Sequence, residues 1–267
     1  MEIQRNMKDK KEKLYVCSWS GGKDSMATIL LALEHNEPLD RVVFSEVMFD
    51  HEKGISGEVP EHIDWIYSTA IPKLESMGVK VDVVRAKKDY KWFFTNQLRG
   101  GYYQGKLYGF PIGGMCFINR DCKVKPIKDY YRELGDDYDV IQYIGIASDE
   151  TRRLARLKPN QVSLLDKYGY TEMMAFDLCK DCELLSPIYE NRSRGGCFFC
   201  PNAKLREFIH LRKHQPELWE ELRELSKTPN LCSYGFKYGK TLQEIEKEMD
   251  AKEEMDRRQL FFDFPTE

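Results

Sequence analysis

The chain has 267 residues, of which 42% are hydrophobic, 32% charged and 12% aromatic. At about 150 residues per domain this is one large domain, or a domain with a small appendage, and the aromatic share excludes a disordered chain. Lys plus Arg number 41 against 44 Asp plus Glu, so the net charge of −3 excludes a whole-molecule cationic field for nucleic acid, though not a local patch. The longest nearly pure apolar run, Met26 to Leu33, is far too short for a bilayer span, so no membrane association is expected. The opening MEIQRNMKDKKEKLYV has no apolar stretch before a small-residue cleavage site, so a cytoplasmic location is expected.

In chain order, residues 1–13 read as a charged, flexible tail. Leu14 to Trp19 predicts a β-strand and Asp24 to His35 a buried helix. Arg41 to Phe49 predicts a second strand. Glu61 to Met77 shows helical spacing, with Pro72 a point of kinking, and Val79 to Val84 is a third strand. Alternating strands and helices predict an α/β fold with a parallel sheet covered on both faces. Arg99 to Gly114 then holds six glycines and four aromatics in sixteen residues, a composition for a mobile loop or lid. Helices are expected at Pro126 to Leu134, Thr171 to Cys182, Ala203 to His214, Pro216 to Ser226 and Thr241 to Gln259, with a fourth strand at Val140 to Ile146.

The strongest motif is Ser18-Trp-Ser20-Gly21-Gly22-Lys23-Asp24-Ser25, set between a predicted strand and helix. Two glycines let backbone N–H groups approach phosphate oxygens, and the helix N-terminus adds its dipole. Ser20 and Ser25 add hydroxyls, and Lys23 adds a charge for a transferring or leaving phosphate. The spacing is shorter than that of the GxxxxGK[ST] loop. Downstream lie Cys122-Lys123-Val-Lys-Pro126, Gly145-Ile146-Ala-Ser-Asp149-Glu150-Thr-Arg152 and Arg194-Gly-Gly-Cys197-Phe-Phe-Cys200-Pro201.

In these four segments, and in their order, the chain resembles the PP-loop ATP pyrophosphatase superfamily, and within it the phosphoadenosine phosphosulfate (PAPS) reductase-like family, over about residues 14–226. The resemblance implies a Rossmann-like parallel sheet of the adenine nucleotide alpha hydrolase-like type with a C-terminal helical, cysteine-rich cap. The expected organisation is the tail over 1–13, a nucleotide-binding α/β domain over 14–150, a helical Cys-rich cap region over 151–240 and a charged C-terminal helix or tail over 241–267. It implies ATP or a PAPS-like adenine nucleotide, its phosphates in the loop of Ser20, Gly21, Gly22, Lys23, Asp24 and Ser25, its base near Glu46, Val47 and Met48, and Ser18 also at the nucleotide site. Lys123, Gly145, Ile146 and Glu150 complete the expected nucleotide site. Lys23, Asp24, Asp149 and Arg152 are the expected catalytic groups, with Asp149 or Glu150 holding Mg²⁺ or ordering an arginine, and Arg152 clamping an anion.

Without an export signal the eight cysteines read as packing, metal or redox groups rather than disulfides. Spacing alone selects Cys179-x2-Cys182 and Cys197-x2-Cys200, a pattern for Zn²⁺ or an iron–sulfur cluster. The family resemblance instead implies Cys122, Cys179, Cys197 and Cys200 as ligands of Zn²⁺ or a [4Fe–4S] cluster, with Cys116 a further candidate, Cys182 a bystander and Cys17 packing.

Two chemistries follow from the resemblance. One is attack by a substrate oxygen on the ATP α-phosphorus with release of pyrophosphate, serving sulfur transfer or a related modification. The other is sulfonucleotide (PAPS or adenylylsulfate) reduction through a nucleophilic cysteine. The tail DRRQLFFDFPTE lacks a cysteine, Cys232 lacks flanking Glu and His, and Phe49-Asp50-His51 departs from the Asp-Thr-Gly of many reductases, so adenylylation is favoured over the oxidoreductase reading. A non-catalytic nucleotide sensor or partner subunit is the third reading. The acceptor is a small molecule or a nucleic acid, tRNA or DNA, the latter suggested by the basic run AKLREFIHLRKH at Ala203 to His214. A homodimer is compatible with all of these.

Overall fold

In the computed structural model, residues 11–112, 116–192 and 195–262 are described. The first ten residues of the expected tail, Gly113 and Gly114 of the glycine-rich loop, Arg194 and residues 263–267 lie outside them. In chain order the elements are β1 (Lys13–Trp19), α1 (Lys23–Glu34), β2 (Arg41–Glu46), β3 (Met48–Asp50), β4 (Ile55–Ser56), α2 (Pro60–Trp65), α3 (Ile71–Ser76), β5 (Val81–Arg85) and α4 (Tyr90–Thr95). They continue with α5 (Lys125–Asp137), β6 (Asp139–Ile144), α6 (Thr151–Leu154), β7 (Gln161–Val162), α7 (Leu164–Lys167), α8 (Glu172–Asp181), α9 (Leu205–His214), α10 (Pro216–Ser226), β8 (Gly235–Lys237), β9 (Lys240–Thr241) and α11 (Leu242–Phe262). No helix among the described residues is long and apolar enough to cross a membrane.

The chain divides into two compact units whose segments interleave. The first takes the described residues up to Glu46, then Glu58–Ala86 and Asp121–Gly195; the second takes Val47–Gly57, Lys87–Arg120 and the chain from Gly196.

The first unit is a Rossmann-like α/β layer built on a parallel sheet in the order β5-β2-β1-β6-β7. Leu14 pairs with Val140 and Ser18 with Ile144, while Val16 pairs with Arg41 and Trp19 with Phe44. Side chains alternate between sheet faces, and β1 shows it cleanly. Leu14 and Val16 join Val43 and Val140 in a core that packs Tyr130, Tyr131 and Leu134 of α5. Cys17 and Trp19 face the larger core, with Met26, Ile29 and Leu30 of α1 and Ala175 and Cys179 of α8. Burial on both faces explains why these strands read as near-continuous apolar runs.

Two features depart from the expected elements. The predicted strand to Phe49 ends in the main sheet at Glu46; β3 then pairs antiparallel with β4, with Met48 opposite Ser56. The predicted helix from Glu61 to Met77 contains a π-helical segment at Ile66–Ala70 just before Pro72. Proline lacks the N–H that an α-helix requires and crowds the preceding turn, and the wider segment accommodates it.

The second unit is organised around aromatic rings. Tyr90 stacks on Phe199 at 4.0 Å, and Phe49 lies 5.2 Å from Tyr90 and 5.0 Å from Phe198. The series continues through Phe94 and Phe110 at 5.0 Å, Phe110 and Phe236 at 4.9 Å, and Phe208 and Phe236 at 5.2 Å. These offset and edge contacts are the favoured aromatic geometries. Beside them Lys91 bridges Asp50 at 2.9 Å and Glu221 at 2.6 Å, and Lys53 also pairs with Glu221.

Candidate functional site

Strand order reverses beside β1: β2 and β5 extend to one side, β6 and β7 to the other. Open α/β sheets bind ligands in the crevice outside the strand ends at such a switch point. The residues there are Ser20 to Ser25, after β1, and Gly145–Ile146, after β6.

The loop folds on itself. The Ser25 hydroxyl donates to the Gly22 carbonyl at 3.0 Å and accepts from the Ser20 N–H at 3.2 Å, with the Ser20 hydroxyl 3.3 Å away. Gly21 has φ +72°, a left-handed conformation suited to glycine, and a Cβ there would come within 2.5 Å of the His62 ring. Gly145 is the other close approach: a Cβ would lie 2.6 Å from the Ser25 nitrogen. The two glycines let His62 and the end of β6 pack directly on the loop.

α1 begins at Lys23 with no side-chain cap on Gly22. Its first N–H, that of Lys23, donates to the Tyr189 hydroxyl at 2.9 Å. The Lys23 ammonium reaches Asp24 at 2.6 Å and Glu172 at 2.9 Å. Burial opposes the Lys23 charge, but these two carboxylates outweigh it and hold the pKa above its usual value. Asp24 is pushed up, chiefly by burial and further by Glu172 and Glu150, although Lys23 pulls it down. The mouth of the loop thus holds one cation among several carboxylates that repel one another.

His62 locks the loop from behind. The Ser20 carbonyl can only accept, so His62 Nε2–H donates to it at 3.3 Å. With the ring neutral, Nδ1 accepts from the Ser186 hydroxyl at 2.8 Å, and that hydroxyl accepts in turn from the Ile188 N–H. Burial lowers the His62 pKa, in keeping with a neutral ring.

The sequence-expected residues divide by placement. Ser20, Gly21, Gly22, Lys23, Asp24, Ser25 and Gly145 meet at the loop. Asp149 accepts from the Glu172 N–H at 3.3 Å; Glu150 accepts from the Ala147 N–H and holds Arg153, whereas Arg152 is exposed on α6. The Ile146 carbonyl accepts from the Ser163 hydroxyl at 2.6 Å. The Ser18 hydroxyl is not in the loop: it meets Tyr131 of α5 at 2.7 Å. Glu46 is buried at the end of β2, accepting from Tyr67 at 2.6 Å and Arg85 Nε at 2.7 Å. Lys123 pairs with buried Glu58 at 3.1 Å. Val47 and Met48 belong to the second unit.

The expected metal ligands also divide, Cys122 and Cys179 in the first unit, Cys197 and Cys200 in the second. Cys179 is buried beneath the loop, donates its S–H to the Lys23 carbonyl at 3.2 Å, and has its pKa pushed up to about 12 by burial. Among the described residues no three His, Cys, Asp or Glu side chains gather closely enough to hold a metal ion. In the second unit Cys116 and Cys197 share the surroundings of the Tyr90 hydroxyl, whose ionisation is opposed first by burial and then by both cysteines.

Sequence reasoning missed His62, Glu172, Ser186 and Tyr189. Each lies far along the chain from the loop it touches, and none sits in a motif.

No family model matches the chain. The uncharacterized protein MJ0066 of Methanocaldococcus jannaschii is 25% identical over 249 residues, covering 88% of this chain and 47% of that protein. The uncharacterized protein MJ0973 of the same organism is 24% identical over 219 residues, covering 76% of this chain and 45% of that protein. The chain thus spans about half the length of the curated relatives it matches. Among solved structures, the U34-tRNA thiolase NcsA from Methanococcus maripaludis with its [4Fe-4S] cluster aligns over 84% of this chain and 76% of that one, at 18% identity and a TM-score of 0.39.

Proposed function

We propose that the chain is an adenine-nucleotide-dependent enzyme of PP-loop type, similar to the PAPS reductase-like family, that activates a substrate by adenylylation in sulfur transfer or a related modification. The observation that carries this reading is the Ser20–Ser25 loop: a left-handed glycine, the N-terminus of α1 and a lysine, together at the switch point of a parallel sheet. In the proposed step a substrate oxygen bonds to the α-phosphorus of ATP and the bond to the bridging oxygen breaks, so that pyrophosphate leaves with the electron pair. Lys23 and the first N–H groups of α1 are placed to take up the charge on that leaving group. Mg²⁺ arriving with the nucleotide needs only one or two protein carboxylates beside phosphates and water, which Asp24, or Asp149 or Glu150, would supply. It would offset the burial, and the lesser repulsion from Glu172 and Glu150, that raise Asp24.

The test is pyrophosphate release from Mg-ATP with candidate acceptors. The wild-type chain is expected to release pyrophosphate with at least one of them, and Lys23→Ala to release it on the order of 100-fold more slowly. ATP binding without pyrophosphate release from any acceptor would favour the nucleotide-sensor reading instead.

A further inference from the structure

The exposed aromatic residues are not scattered. Among the described residues six aromatic side chains are prominently exposed: Tyr67, Trp92, Tyr102, Tyr103, Tyr234 and Tyr238. Tyr67 is tied to Glu46 and Arg85. The other five lie in the second unit, on two segments, Tyr90 to Arg120 and Lys227 to Lys240, neither of which contains an Asp or Glu.

These segments are laced side by side. The Leu107 N–H donates to the Asn230 carbonyl at 2.9 Å, the Cys232 N–H to the Leu107 carbonyl at 2.8 Å, and the Asn230 side chain to the Gly105 carbonyl at 3.1 Å. Above that seam residues 98–106 close a loop: the Leu98 N–H donates to the Lys106 carbonyl and the Gly105 N–H to the Leu98 carbonyl, both at 2.9 Å. Gly101 and Gly105 take left-handed φ values of +79° and +83° to make its turns. The loop reads Arg99-Gly-Gly-Tyr102-Tyr103-Gln-Gly-Lys106, and all eight residues are exposed. Tyr102 is 95% exposed, Tyr238 62% and Tyr234 54%. A ring that exposed adds almost nothing to the folding of its own chain, so the backbone is spent on presenting it.

The cations complete the surface. Lys106 lies 5.9 Å over the Tyr103 ring, and Lys88 lies 3.2 Å over Trp92. Lys91, Lys227, Lys237 and Lys240 are engaged with Asp50 and Glu221, Glu224, the Ala203 carbonyl and Glu248 respectively. Arg99 and Lys106 are therefore the charges this loop offers a ligand. By contrast, on the basic run noted in the sequence, Arg212 is held by Asp250 and Glu253.

Exposed rings on segments without Asp or Glu, interleaved with Arg99 and Lys106 in a glycine-rich loop, are what single-stranded nucleic acid requires. Bases stack on the rings while cations track the phosphates, as RGG-type segments do. Tyrosine hydroxyls can also hydrogen-bond a ribose 2′-OH, which distinguishes RNA from DNA. We propose that the Arg99–Lys106 loop, with Tyr234 and Tyr238, is a docking surface for single-stranded RNA. This goes beyond the nucleotide chemistry above and does not depend on it.

The test is fluorescence anisotropy of a labelled, mixed-sequence single-stranded RNA with the full chain, without ATP, over a salt series. Binding is expected to be saturable and to weaken with salt. Tyr102→Ala with Tyr103→Ala is expected to weaken it by on the order of 10-fold or more, while Tyr102→Phe with Tyr103→Phe keeps the stacking and most of the affinity but narrows the preference for RNA over single-stranded DNA. Arg99→Gln with Lys106→Gln is expected to flatten the slope of log affinity against log salt by about 1.4, near 0.7 per lost phosphate contact. The exposure of these side chains predicts unchanged melting temperatures for all variants, which calorimetry checks. RNA binding that is absent, unaltered in the tyrosine-to-alanine variant, or matched by single-stranded DNA or by an acidic protein partner would overturn the proposal.

Discussion

A Cβ on Gly145 would meet backbone, the Ser25 nitrogen at 2.6 Å and the Asp24 carbonyl carbon at 2.8 Å, and backbone cannot swing aside as a side chain can. Gly145→Ala is therefore expected to cost about 2–4 kcal/mol of stability, read from the urea midpoint, because β6 must move off the loop. Tyr189 makes the opposite case. Its hydroxyl occupies the first N–H of α1, a donor that a phosphate oxygen would otherwise take. Tyr189→Phe is expected to lower stability without ligand by about 1 kcal/mol and to tighten ATP binding a few-fold; looser binding in calorimetry would mean that the hydroxyl assists the nucleotide. Cys232 bears on the choice of chemistry. Its S–H donates to the Tyr108 carbonyl at 2.9 Å within a hydrogen-bonded seam, a poor setting for a mobile nucleophile. Cys232→Ser is expected to keep full pyrophosphate release; release of sulfite from PAPS or adenylylsulfate by the wild type that is lost in Cys232→Ser would instead restore the sulfonucleotide reductase reading.

Among the elements, β3 and α4 of the second unit carry the ion-pair network. Asp50, almost fully buried, is opposed by that burial but held below its ordinary value by the Lys91 ammonium and the Lys53 N–H; Glu221, against the same opposition, is held down by Lys53 and Lys91. Depressed carboxylate pKa values stabilise the fold above the ordinary range near 4, and that stability is lost as pH falls through the lower folded-state values. Lys91→Met is expected to destabilise by about 2–3 kcal/mol at pH 7, because it leaves Asp50 buried without its partner. The difference in melting temperature should close as pH drops below about 4; a difference constant over that range would show that Lys91 acts through packing alone. The same elements show what the sequence could reveal. β1, α1 and β6 were legible because burial on both faces and helical spacing repeat over many residues. β3, β4, α4, β8 and β9 span six residues or fewer, too short for a periodic signal. The break after Glu46 was hidden because apolar residues continue through Val47 to Phe49 while their pairing partner changes from β5 to β4. In the site, the contiguous loop could be read, since its glycines, lysine and serines act through local backbone geometry. Ser18 was misplaced, because strand alternation sends its hydroxyl to α5. His62 and Tyr189 could not be found, since only the fold brings them to Ser20 and Lys23.

Across the whole molecule, the account rests on one claim, that the loop at the switch point of the β5-β2-β1-β6-β7 sheet binds the phosphates of an adenine nucleotide. The parallel sheet aims its strand ends there, α1 directs its N-terminus to the same point, and α8 brings Glu172 to Lys23. The most direct measurement is calorimetric titration of the wild-type chain and Lys23→Ala with Mg-ATP and, separately, with Mg-AMP. The account predicts saturable ATP binding by the wild type, weaker binding of AMP, which lacks the terminal phosphates, and a loss of about tenfold or more in ATP affinity for Lys23→Ala at unchanged helix content. Wild-type ATP affinity in the Lys23 variant, or no ATP binding by the wild type, would contradict it.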